Sequence, residues 1–381
     1  MIYDVIVAGM GPAGSTAGYY LSKAGLKVLA LEKEKLPRYK PCGGGLTTKT
    51  VEALDFGVSE LFLDTIHGGI FTFKDKALKL MCDMPYAYTV NRREFDYFLT
   101  GKAKEAGAKI IDEERMTKIG KKDSHILVET VRGTYEGKYL LGADGVNSVA
   151  ANFLYPKVKR KILAALESDV KAPADRIETL RGLFQIDFGS IPLGYSWIFP
   201  KKNYFSIGSA GMGKSAKKIK EFYKQFIDAQ KILNGIEIDK AHGCTLPMPY
   251  SQNVKLAKDR VFLLGDAGCL VNPFTGEGIY FAVESGKTAA GTLINHWDNP
   301  KAESLYDKAI KEKFYFEFKW AHRLMRLVNA FPGLSYQIIC DHKEVMHVYF
   351  ELLRGTLTYE QTVKNLTVKI SKYLKSKIGI K

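Results

Sequence analysis

Cysteine is scarce in this 381-residue chain: Cys42, Cys82, Cys244, Cys269 and Cys340 are scattered and never form a C-x-x-C pair. So odd and dispersed a set argues against a disulfide framework or a structural zinc site and fits a reducing cytosol. His342 and His347 lie near Cys340, but their spacing matches no metal-ligand pattern, and no metal is expected. No uninterrupted apolar run reaches roughly 18 residues, so no spanning helix is expected. The opening Met1-Ile2-Tyr3-Asp4-Val5 has no basic segment and no cleavable apolar stretch, and reads as a strand rather than a signal peptide. Acidic residues are in the minority, 41 against 56 Lys and Arg, for a net charge of +15. That balance suits an anionic partner such as a membrane surface or a phosphorylated substrate; no nucleic-acid module accompanies it, so nucleic acid is not expected.

What is present is ordinary for a globular protein, with 46% hydrophobic residues, which excludes disorder and suffices for two domains. Tyr3 to Ala8 is a β-branched run ending in glycines. Ser15 to Ala24 carries apolar residues at helical spacing and stops at Gly25, and Lys27 to Leu31 is a second strand ending in Glu32. Strand, glycine turn, helix and strand make a βαβ unit, the start of a parallel sheet. A helix is expected over Arg92 to Ala106, and a hairpin around Gly133. Strand signals dominate Leu163 to Gly211, and helices follow Lys301.

Gly9-Met10-Gly11-Pro12-Ala13-Gly14 is G-x-G-x-x-G between a strand and a helix. Its glycines permit a tight turn, close approach of a pyrophosphate to the backbone, and helix–strand packing. The free N–H groups at the helix start then face the phosphates. Glu32, at the end of the second strand, is placed to accept from a ribose hydroxyl, and Lys33 follows it. A second strand–turn reads Arg260 to Ala267 with Gly265-Asp266, followed by Asn272-Pro273-Phe274-Thr275-Gly276-Glu277-Gly278-Ile279. Here Asp266 suits a ribityl hydroxyl, and a helix from about Gly276 points its N–H groups at developing negative charge. Between the two stretches lies Ala143-Asp144-Gly145, a strand-end turn.

These three stretches resemble the aromatic-hydroxylase flavoprotein superfamily, the para-hydroxybenzoate hydroxylase fold. Val90-Asn91-Arg92-Arg93-Glu94-Phe95-Asp96 is similar to that superfamily's V-x-R-x-x-F-D helix start, in which the arginine, Arg92 here, lies near the flavin. A plain surface arginine is the alternative. Lys40-Pro41-Cys42-Gly43-Gly44-Gly45-Leu46 and Gly194-Tyr195-Ser196-Trp197-Ile198-Phe199-Pro200 resemble two segments of the geranylgeranyl reductase family, K-x-C-G-G-G-L and Y-x-W-x-F-P. The chain departs from the family at Ala210, where a glycine belongs. It departs from many hydroxylases at Ala150-Ala151, where a basic residue follows Asp-Gly.

The resemblance implies an α/β (α+β composite) fold: a Rossmann-type FAD-binding domain, an inserted antiparallel-sheet substrate domain and a helical C-terminal region. The expected division places residues 1–75, 91–160 and 251–300 in the FAD-binding domain. It places 76–90 and 161–250 in the substrate domain, and 301–381 in the helical region. FAD is expected to be held non-covalently by Gly9, Gly11, Pro12, Ala13, Gly14, Glu32, Lys33, Cys42, Gly43, Gly44, Gly45, Arg92, Met116, Asp144, Gly145, Asp266, Gly276, Gly278 and Ile279. Tyr195, Trp197 and Phe199 alternate on one strand face and suit a long hydrocarbon, with core packing as the alternative. Cys42 is the one candidate for a catalytic proton donor, the alternative being a small buried residue.

The implied activity is reduction of isoprenoid carbon–carbon double bonds, with a flavin monooxygenase of an apolar substrate as the rival. The electron donor is open between NAD(P)H and a ferredoxin. A cytoplasmic protein with peripheral contact to an anionic membrane is expected. Thr358 and Gln361 read as a capping box opening a basic amphipathic helix whose apolar stripe is Val363, Leu366, Ile370, Leu374 and Ile378. A helix packed on the body of the protein is the alternative.

Overall fold

A computed structural model describes residues 1–122, 124–249 and 254–364. The opening strand, Ile2–Ala8, sits inside a parallel sheet between Thr134–Gly142 and Val28–Leu31, with Val261–Leu263 and Lys109–Ile111 beyond them. Both faces of the sheet are covered, which is why Val5 to Ala8 reads as a continuous apolar run. Val5 and Val7 join one hydrophobic layer with the helix Pro12–Lys23, while Ile6 and Ala8 join another with Ala150 and Leu154. The hairpin around Gly133 extends this sheet: His125–Thr130 pairs with Thr134–Gly142 and then with Met116–Lys122.

Pro12–Lys23 packs against two helices, Arg92–Glu105 and Ile279–Asn295. The second approach is close enough that a side chain at Gly286 would collide with the Ala13 backbone. Pieces from the start, middle and end of the chain thus meet around one nucleotide-domain core.

The second sheet runs in the order His242–Pro247, Ile162–Lys171, Tyr204–Met212, Gly194–Pro200, Leu183–Asp187, Gly68–Phe73 and Lys76–Met81. Its pairings are antiparallel except that of Leu183–Asp187 with Gly68–Phe73. The hairpin of Gly68–Phe73 and Lys76–Met81 lies wholly in this sheet, so the division expected at residue 75 cuts between two paired strands. One face of the sheet packs Val170, Ile198, Phe205 and Ile207 against the helix Ile219–Ala229. The opposite face, with Ala165, Trp197, Ala210, Tyr195 and Phe199, turns toward the nucleotide domain. A small sheet of Gly45–Thr47, Ala87–Thr89 and Asp64–Ile66 carries the Cys42 turn at its edge.

Helices cover most of the described residues from Ala302 to Arg354. Phe314 and Phe318 join the nucleotide-domain core, whereas Met346 and Phe350 of Glu344–Arg354 pack on Phe71, Tyr86 and Phe184 of the other region. The capping box is formed: Thr358 N donates to Gln361 Oε1 at 3.0 Å, and Gln361 N donates to Thr358 Oγ1 at 3.2 Å. Val363 packs beside Leu352 and Tyr359. The rest of the apolar stripe, from Leu366 to Ile378, lies outside the described residues.

Candidate active site

The glycine loop leaves the first strand into Pro12–Lys23. Gly9 has φ +95, and a Cβ there would fall 2.8 Å from the Ala143 carbonyl carbon, so the turn tolerates no side chain. Gly11 faces open space, where the nearest atom to a Cβ would be Arg38 Nη2 at 3.7 Å. Glu32 is 2% exposed; its Oε2 accepts from Met10 N at 2.9 Å, and its Oε1 accepts from Glu34 N at 3.2 Å. Arg38, absent from the expected set, lies 3.3 Å from Glu32 and donates to Asp96 at 3.0 Å. Its guanidinium therefore stands over the loop that would hold a pyrophosphate.

Asp96 explains the V-x-R-x-x-F-D pattern. The helix Arg92–Glu105 places Arg92 and Asp96 one turn apart, and Arg92 donates to both carboxylate oxygens, at 2.9 and 3.0 Å. Arg92 is no surface arginine: its side chain is 9% exposed and also reaches the Cys42 thiol. Gly44 N donates to that thiol at 3.4 Å. Lys201 pins the same turn, donating from Nζ to Gly43 O at 2.6 Å and Val90 O at 2.7 Å. Burial pushes its ammonium down to about 8, against the pull of Cys42, Asp169 and Glu167.

Asp266 is half-buried; its backbone carbonyl accepts from Cys269 N at 3.0 Å, while its carboxylate has no hydrogen-bond partner among the described residues. Burial raises its carboxyl above the usual range, opposed by Lys40 and Arg92. A Cβ at Gly278 would sit 3.7 Å from its Oδ1, so the carboxylate faces the start of Ile279–Asn295. That helix begins three residues later than expected, because Asn272–Gly278 is a turn: Gly276 has φ +71, and Asn272 accepts from Phe274 N and Thr275 N. Glu277 anchors the turn through Thr47 at 2.6 Å and Lys49 at 2.7 Å.

The aromatic strand spans the space between the two glycine turns. The Tyr195 hydroxyl lies against Gly276. A Cβ at Gly43 would meet Phe199 Cδ2 at 2.7 Å and Trp197 Nε1 at 3.1 Å. Trp197 also covers Gly208, its register partner, while Ala210 stands opposite Tyr195. The departure at Ala210 therefore falls where a methyl fits, and the glycine that the indole requires is present. Tyr195, Trp197 and Phe199 do share one face, with neighbouring ring centroids 5.8 and 6.3 Å apart.

Several residues expected at the cofactor make protein contacts of their own. The Asp144 carboxylate caps the helix Val149–Leu154, accepting from Ser148 Oγ at 2.5 Å, Val149 N at 2.6 Å and Ala150 N at 3.2 Å. Both of its oxygens are thereby engaged, because the nearest unpaired amides belong to that helix end. The Met116 side chain is packed among Leu29, Leu31 and Ile119, and Ile279 among Leu46, Val90 and Phe95. Lys33 is exposed, Gly145 (φ +78) has open space around it, and Pro12 and Ala13 are buried at the helix start.

A family model described as the FAD binding domain matches residues 2–313. The chain is 31% identical to the digeranylgeranylglycerophospholipid reductase of Methanocaldococcus jannaschii, over 86% of each chain. This chain belongs to the FAD-dependent geranylgeranyl reductase family. The reductase is also 30% identical to an uncharacterised protein of Methanosarcina barkeri, covering 99% of this chain and 97% of that one. Its fold matches a geranylgeranyl bacteriochlorophyll reductase-like protein from Thermoplasma acidophilum with a TM-score of 0.75 at 23% identity, over 86% and 88% of the two chains. The residues fit FAD: a glycine cradle open at Gly11, an unpartnered Asp266 carboxylate facing a helix start, and glycine turns at either end of the aromatic strand.

Proposed function

We propose that the reductase saturates carbon–carbon double bonds of a geranylgeranyl chain carried by a membrane lipid, a prenyl quinone or a chlorin tail. The observation that carries this reading is the apolar face of Tyr195, Trp197 and Phe199 stretched between the Gly43 and Gly276 turns. A wall of that kind grips a hydrocarbon by area alone, at roughly 0.8 kcal/mol per buried CH₂, and the gain fixes one double bond in place. The name of the Methanocaldococcus relative supports a lipid-borne chain.

Reduced FAD, when bound, would supply the hydride that saturation of the alkene requires. The chain's own residues do the rest. Glu32, Arg38 and the glycine loop would hold the dinucleotide end, and Asp266 and Gly278 would hold the ribityl and ring end. The Cys42 thiol, steadied by Arg92 and Lys201, gives a proton to one alkene carbon, while the aromatic wall keeps water out.

Such a substrate lives in a bilayer. No described helix is long and apolar enough to cross one, and the +15 charge favours peripheral contact with an anionic inner face. The test is incubation of dithionite-reduced enzyme with a geranylgeranyl-bearing lipid under argon. Products heavier by about 2 mass units per bond, two hydrogens, support the reading. A requirement for oxygen with gain of a hydroxyl would make the protein a monooxygenase and overturn it.

A further inference from the structure

Each saturated bond removes one proton from the site, and a polyene chain repeats the demand. Under the reading above that proton leaves from Cys42, against a wall built to exclude water. A polar cleft opens on the other side of the Cys42 turn, lined by Tyr39, Arg93, Glu167, Lys201 and Tyr204 as well as Cys42 itself. Its inner end holds Glu167, 1% exposed, and its mouth holds Tyr39, 44% exposed. The Tyr39 hydroxyl donates to Glu167 Oε2 at 2.7 Å, and Ser206 donates to Oε1 at 3.0 Å.

We propose that Glu167, gated by Tyr39, is a proton-exchange site that recharges Cys42 from solvent between reduction steps. The inference rests on Cys42 as the proton donor of the proposed function. In the step, the thiol S–H breaks as the substrate C–H forms. The Glu167 O–H then breaks as the thiol is restored across the cleft, and the carboxylate takes its next proton from water. Lys201 sits beside this route, with its ammonium on Gly43 O and Val90 O, where its charge steadies the thiolate in the interval. Glu167 is a positioning residue here, acting on the substrate only through Cys42.

The surroundings of Glu167 suit the task. Asp169 shares its strand and face, His242 and Cys244 approach from Ile162–Lys171's partner strand, and Tyr204, Lys201 and Tyr223 close the remaining sides. Burial, reinforced by Asp169, pushes the Glu167 carboxyl up to about 7, while the Tyr39 hydrogen bond holds it down.

The test is the pH profile of lipid saturation by the FAD-loaded, dithionite-reduced protein under argon. In the wild-type protein, sustained turnover falls as pH rises through about 7. Glu167→Gln removes that limb and lowers sustained turnover about 100-fold, with a smaller loss in the first turnover. Tyr39→Phe, a change at the exposed mouth, moves the limb to higher pH, because the lost hydrogen bond favoured the ionised carboxylate. Flavin content and unfolding temperature report whether each variant is folded, and Tyr39→Phe stands alone if Glu167→Gln is not. A wild-type profile in the folded variants overturns the exchange site. No saturation by the wild-type protein overturns the proposed function instead, which separates the two failures.

Discussion

Gly208→Ala tests whether the Trp197 indole is seated as the structure places it. The two residues face each other across the pairing of Gly194–Pro200 with Tyr204–Met212. A Cβ at position 208 would lie 2.5 Å from Trp197 Cε2 and nearer still to Cζ2 and Cη2, where ordinary contact begins near 3.4 Å. The ring must therefore retreat by roughly 1 Å. The Gly43 turn, where a Cβ would lie 3.1 Å from Trp197 Nε1, borders the ring and carries the neighbouring cysteine. Overpacking of this kind costs about 1–3 kcal/mol, or about 1–4 °C in Tm for a chain of this length. A misplacement of about 1 Å at a reacting centre lowers turnover about 100-fold. The expected result is a variant that binds FAD at full stoichiometry, melts slightly earlier and saturates lipid poorly. Trp197→Phe in the same background, with its smaller ring, should recover the lost stability. Ala210→Gly is the control and should leave turnover near wild type, since that position faces Tyr195. Thermal unfolding and anaerobic product mass spectrometry give the answer. A Gly208→Ala protein with unchanged Tm and turnover would refute the seating of the indole and its place in the site.

Glu32→Ala removes the acceptor that holds Met10 N and pairs with Arg38, and should weaken FAD by about 1–3 kcal/mol, about 5- to 150-fold in Kd; titration of the apoprotein reads this directly. Trp197→Ala should leave the FAD-to-protein ratio unchanged while saturation falls at least about tenfold; equal losses of both would move Trp197 from substrate to cofactor. Glu167 carries a stability signature as well. Its carboxyl is raised to about 7 when folded, so its favourable contribution is present at acid pH and is lost as pH rises from about 4.5 through about 7. Relative to wild type, Glu167→Gln should therefore be more stable at pH 8 than at pH 5, by up to about 3 kcal/mol in denaturant unfolding; an identical difference at both pH values would contradict a buried, late-titrating carboxyl.

The nucleotide half of the protein was legible because its constraints are local. A glycine turn, a helix start and an acidic strand end are each set by residues within one βαβ unit, and Gly9, Gly11, Gly14 and Glu32 fall where that logic puts them. Asp144 was legible only in part, because an Asp-Gly turn after a strand is a pattern shared by several jobs. Here the carboxylate goes to the nearest free amides, those of Val149 and Ala150, and Ser148, placed to cap that helix, was visible in the sequence. Arg38 had no such signal. It reaches Glu32 and Asp96 only because the chain between residues 33 and 44 loops back over the glycine turn.

The polar side of the site depends on strand register, which sequence patterns do not carry. Glu167 meets Tyr39 across 128 positions, and Lys201 meets Gly43 across 158. Yet Lys201 had a sign that alternation supplies. Tyr195, Trp197 and Phe199 occupy one parity of their strand, and Lys201 continues it just past Pro200. A lysine on an aromatic face is out of place unless something there needs a cation. Two backbone carbonyls of the Cys42 turn and two nearby carboxyls supply that need. The strand proposed to grip an apolar chain thus ends in a charge that holds the cysteine turn against it, and reading its parity one residue pair further joins the two halves of the proposed chemistry.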